Sequence, residues 1–140
     1  MSIWALPNDY LMSTAFHIHV GYRGMKYLLM CCAEEKKLDN MSKSECEALI
    51  DETSAYCKAL QKSGHLVAAE PLEPVHMALT VRVQNGKLSL TDGPFAETKE
   101  QIGGFFLINA RDLNEAIQVA SRFPSVRLGS MEVRPVRELN

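Results

Sequence analysis

Asp92-Gly93-Pro94-Phe95-Ala96-Glu97-Thr98-Lys99-Glu100-Gln101-Ile102-Gly103-Gly104-Phe105-Phe106 joins turn formers, four charges and an aromatic run. Asp-Gly-Pro sets a sharp backbone turn, and the charged stretch after it cannot be buried without partners. The run therefore predicts a shaped polar loop that feeds a buried strand over Gly103 to Ala110. What lies on either side of it decides the architecture.

Immediately upstream, the odd positions Val75, Met77, Leu79, Val81 and Val83 are apolar, while His76, Thr80 and Arg82 fall on the opposite face with Ala78. This alternation predicts one strand from Val75 to Val83 with a core face and a polar face. Asn85-Gly86 is a two-residue type I′ hairpin signal, which pairs Gln84 with Lys87 and fixes the rest of the register. Val83 then faces Leu88 and Val81 faces Leu90, while Arg82 meets Ser89 and Thr80 meets Thr91. The same register sets Asp92 opposite Leu79 on the apolar side, where a turn, a bulge or a cation must satisfy the carboxylate.

Further out, Lys26 to Cys32 is a nearly continuous apolar run, as for a central strand buried on both faces. Ser42 with Glu45 forms a capping-box pattern. After it, Cys46, Leu49, Ile50, Thr53, Cys57 and Leu60 recur at helical spacing over residues 43 to 63, until Gly64. His65 to Glu70 reads as a strand ending at Pro71. Asp112 with Glu115 predicts a second capping box, with Leu113, Ala116, Ile117, Ala120 and Phe123 on one stripe and Pro124 closing the helix. Ser130 to Val136 is the last strand, with Glu132 and Arg134 on one face and Met131 and Val133 on the other. The order β-α-β, hairpin, β-α-β predicts an α+β fold: a ferredoxin-like split βαβ with an inserted β-hairpin and both helices on one sheet face. The other face is then bare, which predicts a homodimer closing around a cleft.

A chain of 140 residues with 46% apolar content suits one domain with a core of its own. A formal charge of -2 without a basic run disfavours direct nucleic-acid binding. The four cysteines form no CxxC pair. Cys46 and Cys57 on one helix would stand roughly 16 Å apart, beyond the roughly 7 Å reach of a disulfide, so all four read as reduced thiols. The first residues lack a basic n-region and a sustained apolar segment, and no stretch approaches the roughly 18 apolar residues of a membrane span. A cytoplasmic protein without membrane association is expected.

The Asp92 to Phe106 run resembles the signature of the YCII-related family, in the branch called DGPF-domain proteins. Gly64-His65, Thr80-Val81-Arg82, Asn85-Gly86 and Glu132-Val133-Arg134-Pro135-Val136 are similar to the family's pattern as well. The resemblance covers Met25 to about Leu139, which makes residues 1–24 an N-terminal extension and 25–140 the domain. It implies a dimeric α/β-barrel arrangement, with two sheets packed face to face and a binding or active site in the cleft. It leaves open whether the protein is an enzyme. Family members are often encoded beside sigma factors, so a regulatory or sensor module with a sigma-factor partner stands beside the enzyme as a second expectation.

Within that frame Asp92 is the candidate catalytic base, for proton transfer or isomerisation of a small organic molecule. Arg82 and Arg134 are candidates to hold an anionic group, and Thr80, His76, Glu97 and Lys99 are further candidate ligand contacts. Structural roles compete: Asp92 can cap its own turn, Glu97, Lys99 and Glu100 can be solvated loop charges rather than ligand or partner contacts, and His76 can be a surface residue. His65, after a helix C-terminus, suits a dipole interaction better than catalysis. The family's wider membership carries a histidine on the first helix as half of a His-Asp dyad. This chain has Thr53 near that place and no histidine from Ser42 to Ser63, so the dyad does not carry over. No cofactor or metal is expected: His17-Ile18-His19 lacks a third ligand, and Cys31 and Cys32 read as core thiols. Neither a phosphate loop nor a nucleophile elbow is present.

Overall fold

The computed structural model describes residues 24–139. It is a mixed α+β structure with two antiparallel sheets and three α-helices among those residues. Strand β1 spans Met25–Ala33, helix α1 Glu35–Asp39, α2 Lys43–Lys62, β2 Leu66–Pro71, β3 Leu79–Gln84 and β4 Lys87–Asp92. Then come β5, Gln101–Ala110, α3, Leu113–Ser121, and β6, Gly129–Pro135. The main sheet runs β2-β5-β1-β6, and β3 and β4 form a separate two-stranded sheet.

Alternation in β1 explains the core. Tyr27, Leu29, Cys31 and Ala33 are all buried, whereas Leu28, Met30 and Cys32 on the other face are half-buried. The expectation of a strand buried on both faces is corrected: helices cover one face only. Cys57 and Leu60 of α2 and Ala116, Val119 and Ala120 of α3 join one cluster with Tyr27, Leu29, Phe106 and Ile108. Both helices therefore lie against the same face. Phe123 is its aromatic centre, stacked on Phe106 at 3.9 Å and edge-on to Tyr56 at 4.7 Å. The Tyr56 hydroxyl donates to the Val119 carbonyl at 2.8 Å, giving the one polar atom of this group a partner.

Local signals set the helix ends. The Ser42–Glu45 capping box forms in both directions. At α3 the Asp112 side chain accepts from the Glu115 amide at 2.9 Å, but the Glu115 carboxylate turns to His65 and Arg111. The second expected box is therefore only half built from the bonds seen here. Gly129 begins β6 because a Cβ there would lie 2.1 Å from the Cys32 carbonyl oxygen, so the close approach of β6 to β1 admits no side chain. None of the four cysteines forms a disulfide among the described residues.

The hairpin register is the expected one at every pair from Leu79↔Asp92 to Gln84↔Lys87. Asn85 and Gly86 have φ of 51° and 75°, the left-handed pair a type I′ turn needs. Two features differ from the sequence expectation. Val75–Met77 is a 3-10 turn rather than the start of β3, so His76 does not share the strand face of Thr80 and Arg82. Pro74, which donates no N–H, precedes this turn, and the Glu35 carboxylate takes up the Val75 N–H at 2.9 Å. The apolar face of the hairpin is also not core: Leu79, Val81, Val83, Leu88 and Leu90 are each more than half exposed. No helix among the described residues is long and apolar enough to cross a membrane.

Candidate functional site

A cleft of about 1060 Å³ opens between the main sheet and the segments that flank the hairpin. That volume is at the upper end of the range for small-molecule sites. Cys32, Ile102 and Ser130 contribute from the sheet, and cross-strand pairing of Cys32 with both Ile102 and Ser130 brings these three strands together. Leu72, Pro74, Val75 and Met77 form one wall, and Pro94, Phe95 and Ala96 belong to the turn after β4. Glu34, Glu73, Lys99 and Glu100 supply the charges.

The loop after β4 is held by its own polar groups. The Gly93 amide donates to the Ala78 carbonyl at 2.9 Å, and the Thr80 hydroxyl donates to the Gly93 carbonyl at 2.8 Å. Gln101 Nε2 donates to the Thr98 carbonyl at 2.8 Å, and Thr98 Oγ1 to the Glu100 carbonyl at 2.5 Å. These bonds shape the turn without the Asp92 carboxylate. Asp92 is exposed and makes no hydrogen bond or ion pair among the described residues. The expected need for a partner disappears because that side of the hairpin meets solvent.

Of the sequence-derived site residues, Lys99 alone lines the cleft. It pairs with Glu34 at 3.4 Å, and Lys37 reaches the same oxygen at 3.4 Å. Partial desolvation works upward on the Glu34 carboxyl, but the two ammonium groups outweigh it and hold the group below its ordinary value. Thr80 is the clamp on Gly93. Arg82 lies over the Phe95 ring, 5.9 Å from its centroid. Arg134 pairs with Glu132 at 2.5 Å on β6. The register puts Asp92 and Arg82 on opposite faces of the hairpin, and Arg134 stands on the other sheet. His76 and Glu97 are exposed beside the cleft rather than in its lining. His17 and His19 lie outside the described residues.

Sequence reasoning reached Glu100 as a loop charge but missed Cys32 and Ser130 on the sheet side of the cleft. Ser130 Oγ donates to both oxygens of Glu100, at 3.3 and 3.2 Å. Cys32 is half-buried beside them, and burial, with the Glu132 and Glu100 charges, pushes its thiol up. A thiol so placed stays protonated and is a poor nucleophile. These residues come from β1, the segment before β5, and β6, so only strand pairing unites them. A second cluster lies at the end of α2: His65 Nδ1 meets Ser63 Oγ at 2.7 Å and His65 Nε2 meets Glu115 Oε1 at 3.0 Å, with Arg111 on the same carboxylate. It ties α2 to α3 through Glu115, a structural contact different from the helix-dipole interaction expected of His65.

The sequence model of the YCII-related domain matches residues 25–140. The chain is also 37% identical over 114 residues to "Uncharacterized protein R00369" of Rhizobium meliloti (strain 1021), covering 80% of this chain and 92% of that protein. A match across the whole described fold and a relative aligned over nearly its full length agree: the chain belongs to the YCII-related family.

Proposed function

We propose that this protein is a homodimeric binding domain whose cleft takes a small organic molecule. The cleft carries the proposal: it is of ligand size, apolar for most of its wall and furnished with a few fixed polar groups, which is the composition of small-molecule sites. The sheet order and the placement of both long helices on one face support the ferredoxin-like, dimeric α/β-barrel form of the fold. The uncovered apolar face of the hairpin supports a second copy as its cover, because a contiguous apolar patch of this kind is unusual on a monomer and a net charge of -2 barely repels a like chain. The family match beginning at residue 25 supports treating residues 1–24 as an extension of the domain. Four cysteines without a disulfide among the described residues support a reducing, cytoplasmic setting.

In the enzymatic form of this proposal Asp92 accepts a proton from the bound molecule, with Arg82 and Arg134 brought to the same ligand by the second copy. Its carboxylate, exposed and unpaired among the described residues, supports that role. The separation of Asp92, Arg82 and Arg134 within one chain favours a second form, a non-catalytic sensor that passes ligand occupancy to a regulatory partner such as a sigma factor.

Native mass spectrometry of the purified full chain tests both forms. A dimer retaining a discrete mass that Asp92→Asn loses supports the enzyme, and one whose adduct survives that change supports the sensor. A monomer at micromolar concentration overturns the dimer.

A further inference from the structure

We propose that the ligand of this cleft is an organic cation, an amine or guanidinium group carried on an apolar body. The proposal rests on the cleft being a small-molecule site, not on the enzymatic form in which Arg82 and Arg134 hold the ligand, and adds the ligand's charge and shape. Three carboxylates, Glu34, Glu73 and Glu100, line the cleft against one ammonium, Lys99. Lys99 is already committed to Glu34, which Lys37 also neutralises from outside the lining. Glu100 has no cation partner among the described residues: it accepts only the Ser130 hydroxyl, and both its oxygens keep further lone pairs. An anion entering here would find no uncommitted cation among the described lining residues and would face Glu100 and Glu73. An ammonium or guanidinium would gain charge-assisted hydrogen bonds, which are roughly twice as strong as neutral ones.

Two further observations agree. Burial first, and then the Glu132 and Glu100 charges, push the Cys32 thiol beside Glu100 up. The same two charges would oppose a bound carboxylate or phosphate. The rest of the wall, Leu72, Met77, Phe95 and Ile102, offers apolar and aromatic contact within the same space, and these side chains are all more than 40% exposed. A ligand with an apolar body would cover them and remove that surface from water.

Two probes of one shape and opposite charge test the idea on the full chain, 4-phenylbutylamine and 4-phenylbutyrate, followed through backbone amide shifts in two-dimensional NMR. The amine is expected to move the amides of Phe95 and of Lys99 to Ile102, with the carboxylate at least tenfold weaker. Glu100→Gln should weaken the amine about tenfold, and Glu73→Gln should weaken it less. Glu52→Gln, which breaks a remote pair with Arg127, should leave it unchanged, and the spectra themselves report whether each variant is folded. Equal or tighter binding of the carboxylate in the cleft would overturn the cation and leave the binding-site proposal standing, as would amine binding indifferent to Glu100→Gln. No shift from either probe at millimolar concentration would overturn both.

Discussion

Strand β1 is a nearly continuous apolar run whose burial alternates, and β3 alternates apolar with polar residues, yet Leu29 of β1 is fully buried and Val83 of β3 is 69% exposed. Two helices cover the first, and nothing in the chain's described residues covers the second. Alternation sets which side of a strand seeks an apolar neighbour, but the neighbour itself is supplied by chain topology or by another molecule. The covered sheet and the bare hairpin should therefore answer mutation in opposite ways: one through the folding of the chain, the other through what the chain binds.

The largest effect is expected at the centre of the covered side. Phe123 is 1% exposed and packs against both Phe106 and Tyr56, so Phe123→Ala removes a ring that the surrounding helices and sheet cannot collapse to replace. Urea unfolding followed by circular dichroism should show a loss of about 3–5 kcal/mol. A loss below about 1 kcal/mol would mean that the two sides of the molecule are less different than their burial implies.

Second in size is an alkaline effect at Cys31, also on the covered face. Burial pushes its thiol from 9.0 to about 12 in the folded chain, with the Ser125 hydroxyl pulling slightly the other way. Below pH 9 the thiol is neutral in both states and its contribution is constant. Above pH 9 the unfolded thiol loses its proton while the folded one keeps it, so the unfolded state binds fewer protons and stability falls until about pH 12. Between pH 9 and 10.5 the wild-type chain should lose up to about 1.4 kcal/mol per pH unit more than Cys31→Ala does. Comparing the two slopes separates ionisation from the fixed cost of the smaller side chain.

Legibility in the sequence follows the same division. The Asn85-Gly86 turn and the alternation around it gave every pair of the hairpin register, because a two-residue turn leaves one register that agrees on both faces. Ser42 and Glu45 gave the start of α2 for an equally local reason. The start of β3 was misplaced because Val75, His76 and Met77 continue an alternation that Pro74 and the Glu35 carboxylate override. The cleft was half legible. The Asp92 to Phe106 run pointed to its loop wall, Glu100 included, but Cys32 and Ser130 are far from that run along the chain and meet it only once β1 pairs with β5 and β6. Pairing between distant strands depends on the whole topology and leaves no short-range mark in the residues themselves.

A local interaction on the covered side comes third. The Ser42 side chain accepts from the Glu45 amide at 3.2 Å at the start of α2, in a solvent-exposed setting. Ser42→Ala should cost about 1 kcal/mol in urea unfolding, and Ser42→Asp, which keeps the acceptor, should restore most of it. Equal losses in both variants would show that the box does not hold the helix.

The smallest effect on the chain alone is expected on the bare side, where it is also the most informative. Val83 and Leu88 are cross-strand partners, exposed at 69% and 66%. Replacing both with threonine keeps a residue suited to strands and removes apolar surface that the single chain leaves in water. For an isolated chain the change should lie within about 0.5 kcal/mol, as for surface positions generally. If a second copy covers this face, the wild-type unfolding midpoint rises with protein concentration, since association stabilises the folded state by mass action. The threonine pair should abolish that rise while leaving the low-concentration midpoint where it was. Thermal unfolding at two concentrations a hundredfold apart, on wild type and variant, reads both at once. A wild-type midpoint independent of concentration, with a monomeric mass in sedimentation, would show that the hairpin face waits for a different partner.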